Sequence, residues 1–220
     1  TGSNELKSDA NVDAANRDSK GSSASTTLTP DGSESSLDEL NLSAPLADIG
    51  LVIGADGARF YGPGSASDAG GFSITPTELR RADGTVQLIS ETGELSQNAL
   101  KHSLDRGTLR EDFYVLDKGY RQDFAVFEPL AGSGELILNL EIEGATAFIA
   151  EGEAFFTSDS DGSVFAYGDL FTIDAADQEL EARFEMDSDG DLLIVVNDAD
   201  ALYPILIDPT ISSVANTNFN

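Results

Sequence analysis

The second half of the chain contains short segments in which apolar and polar residues alternate. In residues 135–143, leucine and isoleucine take every second position, with polar residues such as Glu141 and Glu143 between them. Because successive side chains of a strand point to opposite faces, this pattern predicts a strand with one buried and one solvated face. Residues 180–186 alternate in the same way, and residues 191–196 form an apolar run. Many such strands with almost no helical periodicity predict an all-β fold, an antiparallel β-sandwich that is jelly-roll-like or related.

Two Asp-Gly pairs predict β-hairpins in the first half of the chain. Asp56-Gly57 and Asp83-Gly84 each lie between two short apolar runs. Asp-Gly is favoured in such turns because tight hairpins need positive φ angles at their central residues. Residues 62–71, rich in glycine, serine and alanine, predict a loop. Residues 91–108 have weak periodicity and predict either a short helix or an irregular crossing.

Composition divides the chain into three parts. Residues 1–45 are dominated by serine, threonine, asparagine, aspartate and glycine, and their apolar residues are too sparse to form a core. Such a segment cannot offset its ordering entropy, so we expect a disordered or extended polar tether. Residues 46–211 predict the antiparallel β-domain, either as one sandwich or as subdomains 46–108 and 109–211. Residues 212–220 predict a C-terminal tail.

An apolar run with two prolines lies near the C-terminus. Tyr203, Ile205 and Ile207 share one strand face by the two-residue period. Pro204 lacks a backbone N–H, so we expect this strand at a sheet edge or at a bulge. Pro209 predicts the end of the domain.

Three stretches of the second half occur in a fixed order. They are GYRQDF at 119–124 with GSGEL at 132–136, YGDL at 167–170 with DA at 174–175 and LEAR at 180–183, and YP at 203–204 with IDP at 207–209. Together they resemble a β-rich module found near the N-terminus of large exported bacterial proteins. In those proteins the module precedes FG-GAP (integrin-like propeller) repeats or Rhs/YD-type repeats.

The resemblance covers residues 109–211, about half of the chain. It implies an exported, surface-associated and non-catalytic module, and it supplies no catalytic residues. It would also imply repeats after Pro209, where only residues 210–220 follow. We therefore expect either a fragment or a stand-alone version of the module.

The net charge of the chain limits the kinds of molecule that it can bind. The chain has 40 acidic and 12 basic residues, which gives a formal net charge of −28 spread along the sequence. Nucleic acid and anionic membrane surfaces would be repelled, because binding them needs clustered positive charge. The charge favours solubility, and binding of divalent cations is the functional alternative.

The chain contains no cysteine. Disulfides, thiolate metal ligands and cysteine nucleophiles are therefore excluded. No apolar stretch is long enough to span a bilayer, so direct membrane insertion is not expected. A chain that begins at Thr1 predicts a processed product from which any signal peptide has been removed.

Candidate catalytic groups are few. His102 is the single histidine, and no Gly-x-Ser-x-Gly nucleophile elbow accompanies it. Glu141 and Glu143 share a strand face, as a glycosidase pair would share a cleft, but the chain has no tryptophan for sugar stacking. An ordinary histidine and a solvated strand face are the favoured interpretations.

Two acidic turns supply candidate calcium ligands: Asp187, Asp189 and Asp191 in one, and Asp159 and Asp161 in the other. The first turn resembles the start of a calcium loop, with oxygen ligands at alternate positions and Gly190 at the bend. A full EF-hand loop needs a glutamate six residues after the glycine, and Val196 occupies that position. Plain turns are the favoured interpretation, and a calcium site is the alternative to be tested.

The sequence therefore predicts a non-catalytic structural or interaction module of a secreted or cell-surface bacterial protein. Its expected partners are proteins, either copies of itself or other surface components. One alternative is a self-assembling extracellular fibre or surface-layer subunit joined by β-strand addition. The second alternative is a secreted hydrolase.

Overall fold

The computed structural model describes residues 39–43, 49–62, 70–98 and 101–214. Within these ranges the protein is all-β, with sixteen strands and no helix. No helix that is long and apolar enough to cross a membrane occurs in this part of the chain.

In chain order the strands are β1 (Glu39–Ser43), β2 (Gly50–Gly54), β3 (Gly57–Tyr61), β4 (Phe72–Arg81), β5 (Val86–Leu88), β6 (Glu94–Gln97), β7 (His102–Asp105), β8 (Leu109–Leu116), β9 (Gly119–Val126), β10 (Leu136–Glu143), β11 (Ala145–Ala150), β12 (Glu153–Ser158), β13 (Val164–Ile173), β14 (Ala182–Met186), β15 (Leu192–Val196) and β16 (Ile205–Ser213).

The strands form two antiparallel sheets of eight strands each. The first sheet has the order β1-β2-β3-β4-β10-β15-β14, and β5 pairs with the second half of β4. The second sheet has the order β11-β12-β13-β16-β9-β8-β7-β6. One apolar core contains side chains of both sheets. The predicted antiparallel β-sandwich is therefore confirmed.

Aromatic side chains join the two sheets across the core. The ring of Phe72, in the first sheet, lies 5.2 Å from that of Phe156 and 5.0 Å from that of Phe165, both in the second sheet, measured between centroids. Tyr167 and Phe184 make a similar contact at 5.7 Å. Fully burying one large apolar side chain stabilises the folded state by about 1.5–3 kcal/mol. These contacts fix which faces of the sheets point inward.

Each sheet contains strands from residues 46–108 and strands from residues 109–211, the two segments for which the sequence allowed separate subdomains. In the first sheet β4 pairs with β10, and in the second sheet β7 pairs with β8. Residues 46–108 and 109–211 therefore belong to one sandwich. Both predicted hairpins are present, β2–β3 around Asp56-Gly57 and β4–β5 around Asp83-Gly84.

Two expectations about the chain's organisation differ from the structure. β1 lies inside the segment expected to be a tether and pairs with β2, so β structure begins before residue 46. Residues 91–108 contain β6 and β7 in place of a helix. Their pattern is weak because β6 is an exposed edge strand with only one neighbour. The rest of the tether (residues 1–38 and 44–45), residues 63–69 of the predicted loop and residues 215–220 of the tail lie outside the described residues.

The proline-containing run was expected at a sheet edge or at a bulge; it forms a central strand, so the edge is wrong, and a bulge is present in its pairing. Pro204 precedes β16, which lies between β13 and β9 and runs on past Pro209 to Ser213. Near Pro209 the pairing with β13 shifts between Gly168 and Phe171. A bulge tolerates a residue without an N–H, because the ladder is already interrupted there. Pro209 therefore does not end the domain.

A chain of polar side chains runs through the apolar core. Arg106 Nε lies 2.8 Å from Glu111 Oε1, and both side chains are fully buried. Gln122 Nε2 donates to Glu111 Oε2 at 2.8 Å, and the Tyr167 hydroxyl donates to Gln122 Oε1 at 3.0 Å. Burial raises the pKa of Glu111, and the charge and hydrogen bond of Arg106 oppose that shift. The carboxylate is thus satisfied on both oxygens.

We expect Arg106→Ala to lower the free energy of unfolding by about 3–5 kcal/mol, because it leaves Glu111 buried without its counter-ion. Arg183→Ala is the control: Arg183 also pairs with a glutamate, but its side chain is 45% exposed. That change should cost about 0–1 kcal/mol. Urea denaturation of the two variants measures both effects, and equal losses would contradict the prediction.

Candidate functional site

An open groove crosses the outer face of the first sheet, away from the core. Its volume is about 850 Å³, and it is lined by β1, β2, β3, β4 and β10 together with residues 88–92. One row of its floor runs across the strands through Val52, Arg59, Ser73 and Glu143, which are paired in register. Because paired residues of neighbouring strands share a face, all four side chains point to the groove.

A second floor row contains two glycines at its centre. Glu39 pairs with Gly54, Gly54 pairs with Gly57, and Thr75 pairs with Glu141 further along the sheet. Gly57 has a φ of +146°, a conformation that favours glycine. Since neither glycine has a side chain, the floor is low between the carboxylates of Glu39 and Glu141.

Residues 88–92 form one wall of the groove, and backbone hydrogen bonds tie this segment to its surroundings. The N–H of Ile89 donates to the carbonyl of Thr77 at 2.9 Å, and the N–H of Gly93 donates to the carbonyl of Ala55 at 2.8 Å. These bonds connect the wall to β4 and to the β2–β3 turn.

The buried guanidinium of Arg106 holds this wall from the core side. Its Nη1 donates to the carbonyls of Ser90 and Glu91 at 2.9 and 2.8 Å. Its Nη2 donates to the carbonyl of Asp56 at 3.0 Å. One side chain therefore links the wall and the β2–β3 turn to Glu111 in the second sheet. Asp56 and Glu91, whose side chains line the groove, are therefore held through their backbone carbonyls by the arginine of the buried ion pair.

The groove is strongly acidic. Its carboxylates are Glu39, Asp56, Glu91, Glu141 and Glu143. Arg59 is the one cationic side chain in the lining, which also contains serine and threonine hydroxyls but no histidine, cysteine or lysine. Among the described residues, none of these five carboxylates takes part in an ion pair within 4.0 Å. The arrangement is suited to holding a cationic group.

A second polar cluster lies on the outer face of the second sheet. Asp112, Asp123 and Asp208 come from the adjacent strands β8, β9 and β16, and Asp123 is only 1% exposed. Lys101 Nζ lies 2.7 Å from Asp112 Oδ2. Arg121 Nε lies 2.9 Å from Asp123 Oδ1 and 3.5 Å from Asp208 Oδ1. Asp123 Oδ1 makes no hydrogen bond in the described part of the chain, so its contact with Arg121 Nε is an ion pair alone.

The surroundings in this cluster raise the pKa values of two of its carboxyl groups, those of Asp123 and Asp208. Burial, then the nearby Asp208 carboxylate, raises the pKa of Asp123 to about 8, against the opposing charge of Arg121. Burial also raises the pKa of Asp208. Two neighbouring buried carboxylates do not both ionise readily, so the pair holds a proton near neutral pH.

The first acidic turn predicted to bind calcium lies between β14 and β15. Asp187 Oδ1 accepts the backbone N–H groups of Asp189, Gly190 and Asp191 at 2.8–3.0 Å. Asp191 Oδ2 accepts a hydrogen bond from Asn139. The bonds to Asp187 are those of an Asp-Gly turn. Over the described ranges, no three acidic, histidine or cysteine side chains are grouped to hold a metal ion. Calcium binding stays a prediction.

The other residues singled out from the sequence lie apart from the groove. Asp159 and Asp161 lie in the β12–β13 turn, where Asp161 Oδ1 accepts the N–H of Ser163 at 2.9 Å. His102 is half-buried on β7 and pairs in register with Phe113 of β8. Burial lowers the pKa of His102, and its Nδ1 has no hydrogen-bond partner among the described residues.

The sequence places Glu141 and Glu143 on the outer strand face correctly but does not reveal the groove they line. The wall that makes this face a groove is more than forty residues away in the chain. Glu111 is also missed, although a signal exists. It falls between Leu109 and Phe113 at a position where the two-residue period predicts an apolar side chain.

The acidic cluster of the second sheet predicts a pH dependence. The folded-state pKa of Asp123 lies above its unfolded value, so the native state holds the extra proton between about pH 4 and pH 8, and its contribution to stability falls as pH rises through that window. Asp123→Asn keeps the shape of the neutral group and cannot ionise. We expect the unfolding free energy of this variant, relative to that of the wild type, to rise by about 3–4 kcal/mol from pH 5 to pH 8.

Urea denaturation across this pH range measures the effect. Asp159→Asn is the control, because Asp159 is an exposed carboxyl at a turn. The prediction is contradicted if the unfolding free energies of Asp123→Asn and of the wild type differ by the same amount at every pH from 5 to 8. The buried pair would then not titrate in this window.

Comparison of the sequence with models of protein families, with curated proteins and with solved structures finds no match. The resemblance of residues 109–211 to the module of exported bacterial proteins therefore stays a prediction.

Proposed function

We propose that the protein is a non-catalytic interaction module of a secreted or cell-surface bacterial protein, and that it binds a protein partner in the acidic groove of the first sheet. The observation that carries this proposal is a groove with its wall already in place. Arg106 and backbone hydrogen bonds hold residues 88–92 against the sheet. A preformed site loses little conformational freedom on binding, which favours affinity.

The proposed location rests on the sequence. The resemblance of residues 109–211 supports export, and a net charge of −28 supports solubility outside the cell. The lining of the groove contains neither histidine nor cysteine, so it offers no nucleophile or base of either kind. The hydrolase alternative would use His102, which does not line the groove, or the carboxyl groups of Glu141 and Glu143, which do.

A peptide library displayed on phage tests the proposal. It is selected in parallel on the immobilised full chain and on the variant Glu141→Gln/Glu143→Gln, which removes two groove charges and keeps side-chain size. We expect the wild type to enrich sequences that the variant does not retain.

The matched control is Glu179→Gln/Glu181→Gln, which removes the same charge at two exposed positions outside the groove. Enriched peptides should still bind this control. If no enriched peptide distinguishes the groove variant from the control, the groove is not the binding site and the proposal fails.

A second candidate function, self-assembly by β-strand addition, is favoured by one edge strand. β11 ends the second sheet, and its sequence ATAFIA has no charge, proline or glycine. Phe148 on its outer face is 44% exposed and stacks on Phe155 with ring centroids 5.2 Å apart. Uncharged edge strands of this length pair readily with another chain. By contrast β14, one of the edge strands of the first sheet, carries the ion pair of Arg183 with Glu185, and charge on an edge strand disfavours such pairing.

We expect the wild type to form oligomers in about 1 M salt, where a Debye length of about 3 Å screens the repulsion between acidic chains. Phe148→Lys should abolish them, because it places a charge on the free edge. Phe171→Lys should not, since Phe171 is equally exposed at 44% but lies on β13, inside the sheet. Light scattering after size-exclusion chromatography measures mass; a monomeric wild type, or equal behaviour of both variants, would retire this candidate.

A further inference from the structure

We infer that the groove of the first sheet takes an extended cationic segment, whose lysine or arginine side chains contact the groove carboxylates. The inference rests on the proposed function and names the chemistry of the partner. Five carboxylates face one arginine in the lining. Some carboxylates elsewhere on the surface are paired, as Glu135 is with Arg183 at 2.6 Å. The groove differs in that five carboxylates and a single arginine line the same cavity, which leaves an excess of negative charge there.

A hydroxyl without a hydrogen-bond partner in the floor of the groove is a second observation that points to a ligand. Ser73 is only 8% exposed, lies in the floor between Arg59 and Glu143, and has no hydrogen-bond partner among the described residues. Its oxygen is open to the groove, so a hydrogen bond to a bound segment would replace one to water. A hydrogen-bonding group of a bound segment would satisfy it.

The dimensions of the groove favour an extended segment over a compact ion. It is lined by five neighbouring strands, β1 to β4 and β10. Four spacings of about 4.8 Å give about 19 Å, the length of about six extended residues. The carboxylates are spread along this length, since Glu39 lies on β1 and Glu141 on β10. In the described residues they do not converge in a group of three that could hold a metal ion.

The apolar part of the lining favours long cationic side chains. Leu88, at the wall, is 76% exposed, and Val52 lies in the floor. Lysine and arginine pack their aliphatic stems on such surfaces while their charged ends reach polar groups. A lysine or arginine side chain of the partner can therefore pack its aliphatic stem on Leu88 and place its charged end beside the groove carboxylates.

Hexalysine labelled with fluorescein is the probe, and binding to the full chain is measured by fluorescence anisotropy. The salt concentration is about 0.15 M, where a Debye length of about 8 Å limits attraction by the distant charges of the protein. Labelled hexathreonine and hexaglutamate are the peptide controls. We expect hexalysine to bind and the two controls not to bind.

The groove variant Glu141→Gln/Glu143→Gln should weaken hexalysine binding about tenfold, and the control Glu179→Gln/Glu181→Gln less than about twofold. Equal weakening would show attraction by net charge alone and would overturn the inference. Binding of hexalysine no tighter than hexathreonine would overturn it as well. Thermal unfolding of each variant confirms that it is folded.

The two proposals fail in different ways. Groove-dependent peptides from the library that lack lysine and arginine would overturn the cationic partner and leave the proposed binding function standing. A library that returns no groove-dependent peptide overturns the proposed function, whatever hexalysine does.

Discussion

The buried ion pair of Arg106 and Glu111 is the constraint on which the other features depend. Both side chains are fully buried, and charges removed from water are tolerated only when every hydrogen-bonding group has a partner. Glu111 meets this requirement with Arg106 and Gln122. Arg106 meets it with the carbonyls of Asp56, Ser90 and Glu91. The electrostatics of the core therefore position segments that lie on the surface.

This coupling gives the two outer faces of the sandwich different properties. The first sheet carries a groove whose wall is anchored to the core and whose carboxylates are unpaired. The second sheet carries carboxylates that are buried beside Arg121 and Lys101, so their charges are partly neutralised. Only the first arrangement leaves negative charge open to a partner. From the second we expect a dependence of the stability of the fold on pH.

Several elements could be predicted from the sequence because their causes are local. β10 follows from strict alternation, and the β2–β3 hairpin follows from Asp56-Gly57 between two apolar runs. β6 and β7 could not be predicted, because β7 is ordered by pairing with β8 and β6 by pairing with β7, and both show little pattern of their own. Pro209 was equally misleading. Whether a proline ends a strand or occupies a bulge depends on the neighbouring strands, which here interrupt the ladder at that point.

Three properties follow from the sequence alone: the all-β class, the face of β10 on which Glu141 and Glu143 lie, and the acidic character of the chain. The fold adds that these glutamates share a groove with Glu39 and Glu91, and that Arg106 lies behind its wall. The reason is that a two-residue period specifies a face within one strand. Which strands become neighbours depends on how the whole apolar core packs, and the groove joins residues more than one hundred positions apart.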